Sequence, residues 1–280
     1  MHLNPTYLAL FSIPWFVHAQ DDVDTVPVES RNHWMRRSVD ALAELTGSPC
    51  PFEAFGSAIV NHSDTTNSEH GELICIGANS IIQNGNPTLH GEIAAINNCS
   101  RILTSEPYNL VGREALGAFQ GLSLYTTAEA CPMCATAIRW AGFKDYVYAT
   151  SLDTLVKQSW PQISLSSSQI FEKASSLPTK TRMVPHVLAD ETDPLFAWQF
   201  NENGKCPPGC RRSRIGEKTN NPAAVGDTKR TCVPGDKGDE DGLAGELADE
   251  AVAGAAKGLR GLWTALFNLF KVAAPVGDEL

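Results

Sequence analysis

Thr127-Ala128-Glu129-Ala130-Cys131-Pro132-Met133-Cys134 is the most informative motif of this sequence, together with His90-Gly91-Glu92 earlier in the chain. A strand-like run precedes the first stretch, and Pro132 favours the start of a helix within it. Cysteines three positions apart on a helix point the same way, so both thiols can reach one ion. The sequence therefore predicts a strand that leads into a helix with two metal-binding thiols on its first turn.

His90 and Glu92 are predicted to lie at the first turn of a second helix, which faces the first. One imidazole added to two thiolates gives three protein ligands and leaves the fourth tetrahedral position for water, as in catalytic zinc sites. Glu92 is too close in sequence to His90 to bind from the same direction, and a carboxylate beside the water can move its protons. This combination predicts an enzyme that uses water to remove the amino group from an amidine-like ring carbon.

Two alternatives of another class stay open at this point. A Cys-x-x-Cys at a helix start after a strand also describes a thioredoxin-like redox site formed by Cys131 and Cys134. That interpretation leaves the His90-Gly91-Glu92 motif unexplained. The other alternative is a catalytically idle binding module that keeps the fold, and the presence of Glu92 argues against it.

Outward from these motifs, helices and strands alternate. Apolar residues at helical spacing predict a helix over 31–45, and Thr88 is the predicted N-cap of the helix that carries His90. Short β-rich runs predict four strands, and Thr150 or Ser151 is predicted to cap a helix after the last of them. The predicted strands cover 54–60, 73–77, 122–126 and 146–150, followed by a less regular segment through Phe200. This order predicts an α/β fold with helices on both faces of a sheet.

The two motifs resemble the cytidine deaminase-like superfamily of zinc-dependent deaminases. Their flanking residues are similar to the branch that holds guanine deaminases and tRNA adenosine deaminases. The resemblance spans about residues 31–160 and implies a three-layer α/β/α sandwich with a central mixed sheet of about five strands. It implies Zn²⁺ held by His90, Cys131 and Cys134, with Glu92 as the catalytic proton carrier, Asn79 as a base-binding residue and a homodimeric assembly.

The two ends of the chain predict export and a separate tail. A short apolar run over 7–17 precedes the cleavage-like site Val17-His18-Ala19, and no transmembrane segment is expected after cleavage. The last four residues, Gly277-Asp278-Glu279-Leu280, are similar to a Lys-Asp-Glu-Leu retrieval signal, but Gly277 stands where that signal has a positive charge. We therefore expect secretion rather than retention in the secretory pathway. The predicted organisation is a signal peptide at 1–19, a linker at 20–30, a zinc-dependent deaminase domain at 31–200, a disordered low-complexity tail at 201–258, an amphipathic helix at 259–272 and a C-terminal tail at 273–280.

Cysteine content and charge narrow the function further. Of eight cysteines, six are not claimed by the metal site, and in an oxidising compartment they could pair in roughly 15 ways. Residues 21–200 contain 11 Lys and Arg against 20 Asp and Glu, a net charge of −9. A nucleic-acid substrate favours the opposite sign. We therefore expect a small-molecule substrate such as a nucleobase or nucleoside, with a tRNA adenosine deaminase as the alternative.

Overall fold

The structure is a computed structural model that describes residues 26–214 and 231–235. The predicted signal peptide at 1–19, the amphipathic helix at 259–272 and the tail at 273–280 lie outside the described residues. None of the helices within the described ranges has the length and apolar character that a membrane crossing requires.

A mixed sheet of five strands forms the centre of the fold. The order across the sheet is β2-β1-β3-β4-β5, in which β1 is antiparallel to both of its neighbours and β3, β4 and β5 are parallel. The strands are β1 (Gly56–Asn61), β2 (Glu72–Ala78), β3 (Ser123–Ala128), β4 (Asp145–Thr150) and β5 (Arg182–Val184). The predicted fold class, a mixed sheet of about five strands with helices on both faces, is confirmed.

Helices pack on both faces of this sheet because side chains alternate along each strand. Ile59 and Tyr146 contribute to the core under α3, α4, α5 and α7, whereas Ala58 and Val147 face Met35 of α1. The helices of the described ranges are α1 (Val28–Thr46), α2 (Ile81–Asn84), α3 (Gly91–Leu103), α4 (Gly112–Ala118), α5 (Pro132–Ala141), α6 (Leu152–Lys157), α7 (Ser167–Lys173) and α8 (Ala189–Phe196).

Helix α3 lies unusually close to β2, which fixes where its first turn sits. A Cβ atom on Gly77 of β2 would approach the backbone nitrogen of Ala95 to 2.2 Å, so only glycine fits there. A disulfide between Cys75 of β2 and Cys99 of α3 joins the same two elements covalently. The first turn of α3 is therefore held against the end of β2 by packing and by a covalent bond.

Three disulfides resolve the pairing that the sequence left open: Cys50–Cys210, Cys75–Cys99 and Cys206–Cys232. Two short strands in the C-terminal region, β6 (Cys210–Arg212) and β7 (Cys232–Pro234), pair antiparallel. Cys50–Cys210 ties β6 to the loop after α1, and Cys206–Cys232 joins β7 to the segment before β6.

The predicted disorder over 201–258 is therefore wrong for the residues described there, 201–214 and 231–235. The Arg212 guanidinium donates hydrogen bonds to the carbonyl oxygens of Trp198, Asn201 and Gly204 at 3.3, 2.9 and 2.6 Å. The predicted domain boundary at 200 is also wrong, since Cys210 is bonded to Cys50. Cross-links can order a segment that is too poor in apolar residues to form a core of its own.

Three other predictions near the sheet need correction. Helix α1 begins at Val28, inside the predicted linker, and its buried Ser30 hydroxyl lies 3.0 Å from Nδ1 of His70. Thr88 does not cap α3; its hydroxyl donates to Oδ1 of Asn86 at 2.8 Å in a turn before the helix. Strand β5 lies in the segment predicted to be irregular, because three residues are too few to show an alternating pattern.

Candidate metal centre

Two helix starts position the candidate ligands. His90 is the N-cap residue of α3, and Cys131 is the N-cap residue of α5, with Pro132 in the first helical turn. Cys134 follows on the same turn of α5 and is fully buried. The positive ends of both helix dipoles therefore point at this place, which favours anionic ligands such as thiolates.

The three predicted ligands come together in the structure. The donor atoms of His90, Cys131 and Cys134 all lie within 4.8 Å of one another. Nδ1 of His90 is 3.6 Å from Sγ of Cys131. A tetrahedral zinc ion with ordinary Zn–N and Zn–S bond lengths separates such a pair by about 3.6 Å. Neither cysteine forms a disulfide, so both thiols are available, and the donor set fits zinc.

Glu92 lies beside these donors. Its side chain is 4% exposed, and its carboxyl interacts with the thiol of Cys134. Burial, followed by the negative charge of Cys131, raises the pKa of Glu92 to about 7. A carboxyl with that pKa can take up or release a proton at neutral pH, as a general acid–base requires.

Hydrogen bonds among Cys131, Cys134 and His90 shift their pKa values in different directions. A hydrogen bond with Cys134 stabilises the thiolate of Cys131 and lowers its pKa to about 4. The same contact raises the pKa of Cys134. The hydrogen bond with Cys131 also raises the pKa of His90. The geometry therefore already provides one thiolate at neutral pH, and a thiolate is the form that binds metals.

Asn79 lies at the end of β2, as predicted, and is 5% exposed. Its Oδ1 accepts a hydrogen bond from the backbone of Ile81 at 3.1 Å, and its own backbone nitrogen donates to the carbonyl of Phe55 at 2.9 Å. Within the described ranges its Nδ2 has no hydrogen-bond partner. That amide group is free to donate to a ligand.

Glu129 has a structural role. Although Glu129 lies just before α5, its carboxylate does not cap that helix but accepts bonds from Leu152 and Ser167 at the starts of α6 and α7. The distances are 2.9 Å to each backbone nitrogen and 2.7 Å to the Ser167 hydroxyl. The segment that leads to Cys131 is thereby anchored to two later helices. The neighbouring Ala130 nitrogen donates to the Tyr146 hydroxyl at 2.6 Å.

Three large aromatic residues belong to the core: Trp160, Phe196 and Trp198 are 7%, 0% and 2% exposed. Sequence reasoning missed Glu53, whose half-buried carboxyl is close enough to His90 for each to shift the pKa of the other. The one signal in the sequence is a lone charge in an apolar stretch before a strand.

Comparison with known proteins agrees with this geometry. Residues 28–150 match the family model described as the cytidine and deoxycytidylate deaminase zinc-binding region. A guanine deaminase of Bacillus subtilis (strain 168) is 28% identical over 156 residues, which are 54% of this chain and 83% of that relative. A solved guanine deaminase from Nitrosomonas europaea has a TM-score of 0.42 and 18% identity, covering 70% of this chain and 97% of its own.

A solved tRNA:A34 deaminase, which acts at the wobble position of transfer RNA, has a TM-score of 0.40 and 20% identity, covering 58% of this chain and 98% of its own. The family match spans all three candidate metal ligands and the buried Glu92. Residues 28–150, which carry the candidate metal centre, are therefore similar to the zinc-binding region of cytidine and deoxycytidylate deaminases.

Proposed function

We propose that this protein is a zinc-dependent hydrolase that deaminates a free nucleobase or a similar small amino-heterocycle. The observation that carries the proposal is the convergence of three metal-binding donors, within 4.8 Å of one another, on a buried carboxyl beside them. In the reaction water adds to the ring carbon that bears the amine, the carbon–nitrogen bond breaks, and ammonia and the oxo product are formed.

His90, Cys131 and Cys134 would hold the zinc ion. Zinc bound there would act as a Lewis acid on a water molecule, lowering the pKa of that water to about 7. The thiolate of Cys131 would hold the dication, and the positive ends of α3 and α5 stabilise that thiolate.

Glu92 would carry every proton in the reaction. It takes one proton as the water oxygen bonds to the ring carbon and delivers it to the neighbouring ring nitrogen. It then moves a second proton to the departing amine, because ammonia leaves far more readily than its anion. Its pKa of about 7 suits both directions of transfer. Asn79 would hold the heterocycle through the unpartnered Nδ2 of its side chain.

A small substrate is favoured over a transfer RNA by charge. The net charge of −9 over residues 21–200 opposes the approach of a polyanion. The similarity to a bacterial guanine deaminase supports a free base as the first substrate class to test.

We also propose that the protein is exported. Three disulfides in the described part of the chain fit an oxidising compartment, since such bonds are rarely kept in the cytosol. The homodimer implied by the resemblance stays a prediction.

The proposed function is tested by ammonia release from the zinc-loaded protein, screened across purine bases, pterins, pyrimidine bases and their nucleosides. We expect turnover of at least one free base and none by Glu92→Gln protein. A matched control is Glu172→Gln, which changes a carboxylate whose side chain is 76% exposed and should leave turnover unchanged. No ammonia from any compound, with zinc bound, would contradict the proposed function.

A further inference from the structure

The loop between α1 and β1, residues 47–55, is held in place by a disulfide, a hydrogen bond and aromatic contacts. Cys50 is bonded to Cys210, and Gln199 donates a hydrogen bond to the carbonyl of Phe52 at 2.8 Å. The Phe52 and Phe55 rings lie 5.9 and 5.2 Å from the ring of Trp160. A loop fixed by a disulfide and by aromatic packing holds its side chains in defined places.

This loop runs between the segments that carry the site. The Ala54 carbonyl accepts a hydrogen bond from the Thr127 hydroxyl at 2.7 Å, at the end of β3. The Phe55 carbonyl accepts from the backbone of Asn79 at 2.9 Å. The same carbonyl lies so close to the first turn of α3 that a Cβ atom on Gly91 would approach it to 2.4 Å. The residue just before Ala54 is therefore placed at the edge of the site.

That residue is Glu53. Its side chain is half-buried, and it interacts electrostatically with His90. Among the described residues no hydrogen bond or ion pair engages its carboxyl. Burial raises the pKa of Glu53, and the positive charge of His90 acts in the opposite direction. A half-buried carboxylate without a protein partner can accept a hydrogen bond from a ligand.

We infer that Glu53 is a specificity-determining residue, which accepts a hydrogen bond from a ring N–H group of the heterocycle that is distinct from the amine that leaves. This inference rests on the proposed function. This adds an acceptor at Glu53 to the donor at Asn79 Nδ2, on two segments that are joined by the bond from the Asn79 backbone nitrogen to the Phe55 carbonyl. The substrate class it selects is an amino-heterocycle with an additional ring N–H, such as a 2-amino-oxopurine, over one in which that nitrogen carries no hydrogen.

Hydrogen bonds to a charged group contribute enough to make this selection measurable. Loss of one such bond lowers affinity or kcat/KM by about tenfold to a hundredfold. A substrate that lacks the N–H should lose nothing further when the carboxylate is removed. The effect of Glu53 is therefore expected to depend on which substrate is present, which a purely structural role would not produce.

The experiment uses the zinc-loaded full chain as wild type, Glu53→Ala and Glu53→Gln, with guanine and its 1-methyl and 9-methyl derivatives. In wild type, methylation of one of these nitrogens should lower kcat/KM by about tenfold or more. In Glu53→Ala the ratio of kcat/KM for guanine to kcat/KM for that methylated purine should fall to near one. Glu53→Gln should give an intermediate ratio. Zinc content should be the same in all three proteins, and Glu172→Gln should keep the wild-type preference.

An equal loss on all three purines, or an unchanged preference in Glu53→Ala, would overturn the inference. A second measurement separates this failure from failure of the proposed function. Equilibrium dialysis of labelled guanine with Glu92→Gln protein, with and without Glu53→Ala, reports binding without turnover. Binding that weakens only for purines with the free N–H supports the role of Glu53 even if wild type releases no ammonia. No binding of guanine overturns it.

Discussion

The eight cysteines of this chain fall into two groups with different chemistry. Six form disulfides, whereas Cys131 and Cys134 stay free on the first turn of α5. Burial does not separate the groups, since Cys99 and Cys134 are both 0% exposed. The neighbouring residues do separate the groups, because the imidazole of His90 and the buried carboxyl of Glu92 lie beside Cys131 and Cys134. The surrounding residues, more than the cysteines themselves, therefore determine whether a thiol binds a metal or forms a cross-link.

Removal of a metal ligand should distinguish the two groups of cysteines most strongly. His90→Ala or Cys131→Ala should abolish both zinc binding and deamination, because a catalytic zinc site of this kind needs all three of its protein ligands. Metal analysis of the purified proteins and an ammonia assay measure the two effects. The double variant Cys75→Ala/Cys99→Ala is the control from the other group and should keep its zinc. Equal zinc in His90→Ala and wild type would contradict the assignment.

The next largest effect is expected from the carboxyl beside the free pair. Glu92→Gln keeps the size of the side chain but cannot carry protons, so the rate should fall by about 10²- to 10⁴-fold with zinc retained. Single-turnover ammonia release at matched zinc content measures this. Near-wild-type turnover would mean that Glu92 is only a charge at a helix start.

A smaller effect is expected from the cross-linked group. Cys75→Ala/Cys99→Ala opens a loop with a sequence separation of 24 residues, and the free energy of unfolding should fall by about 3 kcal/mol. Denaturant unfolding measures the change. The folded fraction should stay active, since close packing at Gly77 still holds α3 on β2. Complete loss of activity in folded protein would show that this disulfide also positions His90 and Glu92.

The smallest effect is expected from the far C-terminal region. A chain that ends after Gly235 keeps every disulfide and should match the full chain in activity and thermal midpoint. A chain that ends after Phe200 loses the bonds of Cys50 and Cys206 and uncovers Trp198, so its thermal midpoint should fall. Comparison of the two shortened chains by thermal unfolding and kcat/KM tests this. Equal stability of both would show that the cross-linked segment contributes nothing.

The sequence predicts the metal centre well because its parts are local. Cys131 and Cys134 share one helical turn, and His90 and Glu92 share another, so spacing alone places each pair. Asn79 follows a strand that alternation reveals. The first four strands could be predicted for the same reason.

What could not be predicted depends on contacts far apart in the chain. The start of α1 depends on Ser30 meeting His70, and Glu129 finds its partners at Leu152 and Ser167. The order at 201–214 depends on a bond from Cys210 to Cys50, and spacing does not choose among cysteine pairings. Glu53 acquires its place only when its loop packs against Asn79 and Gly91.

Zinc and free thiols counted on the same purified protein report directly on the metal centre at Cys131 and Cys134. We predict about one zinc per chain. Without reductant, alkylation of the native protein followed by peptide mass spectrometry should label Cys131 and Cys134 only after a chelator has removed the metal. The six other cysteines should appear as the three disulfide-linked peptide pairs. Metal-free protein with Cys131 bridged to Cys134 would contradict the account and favour a redox site.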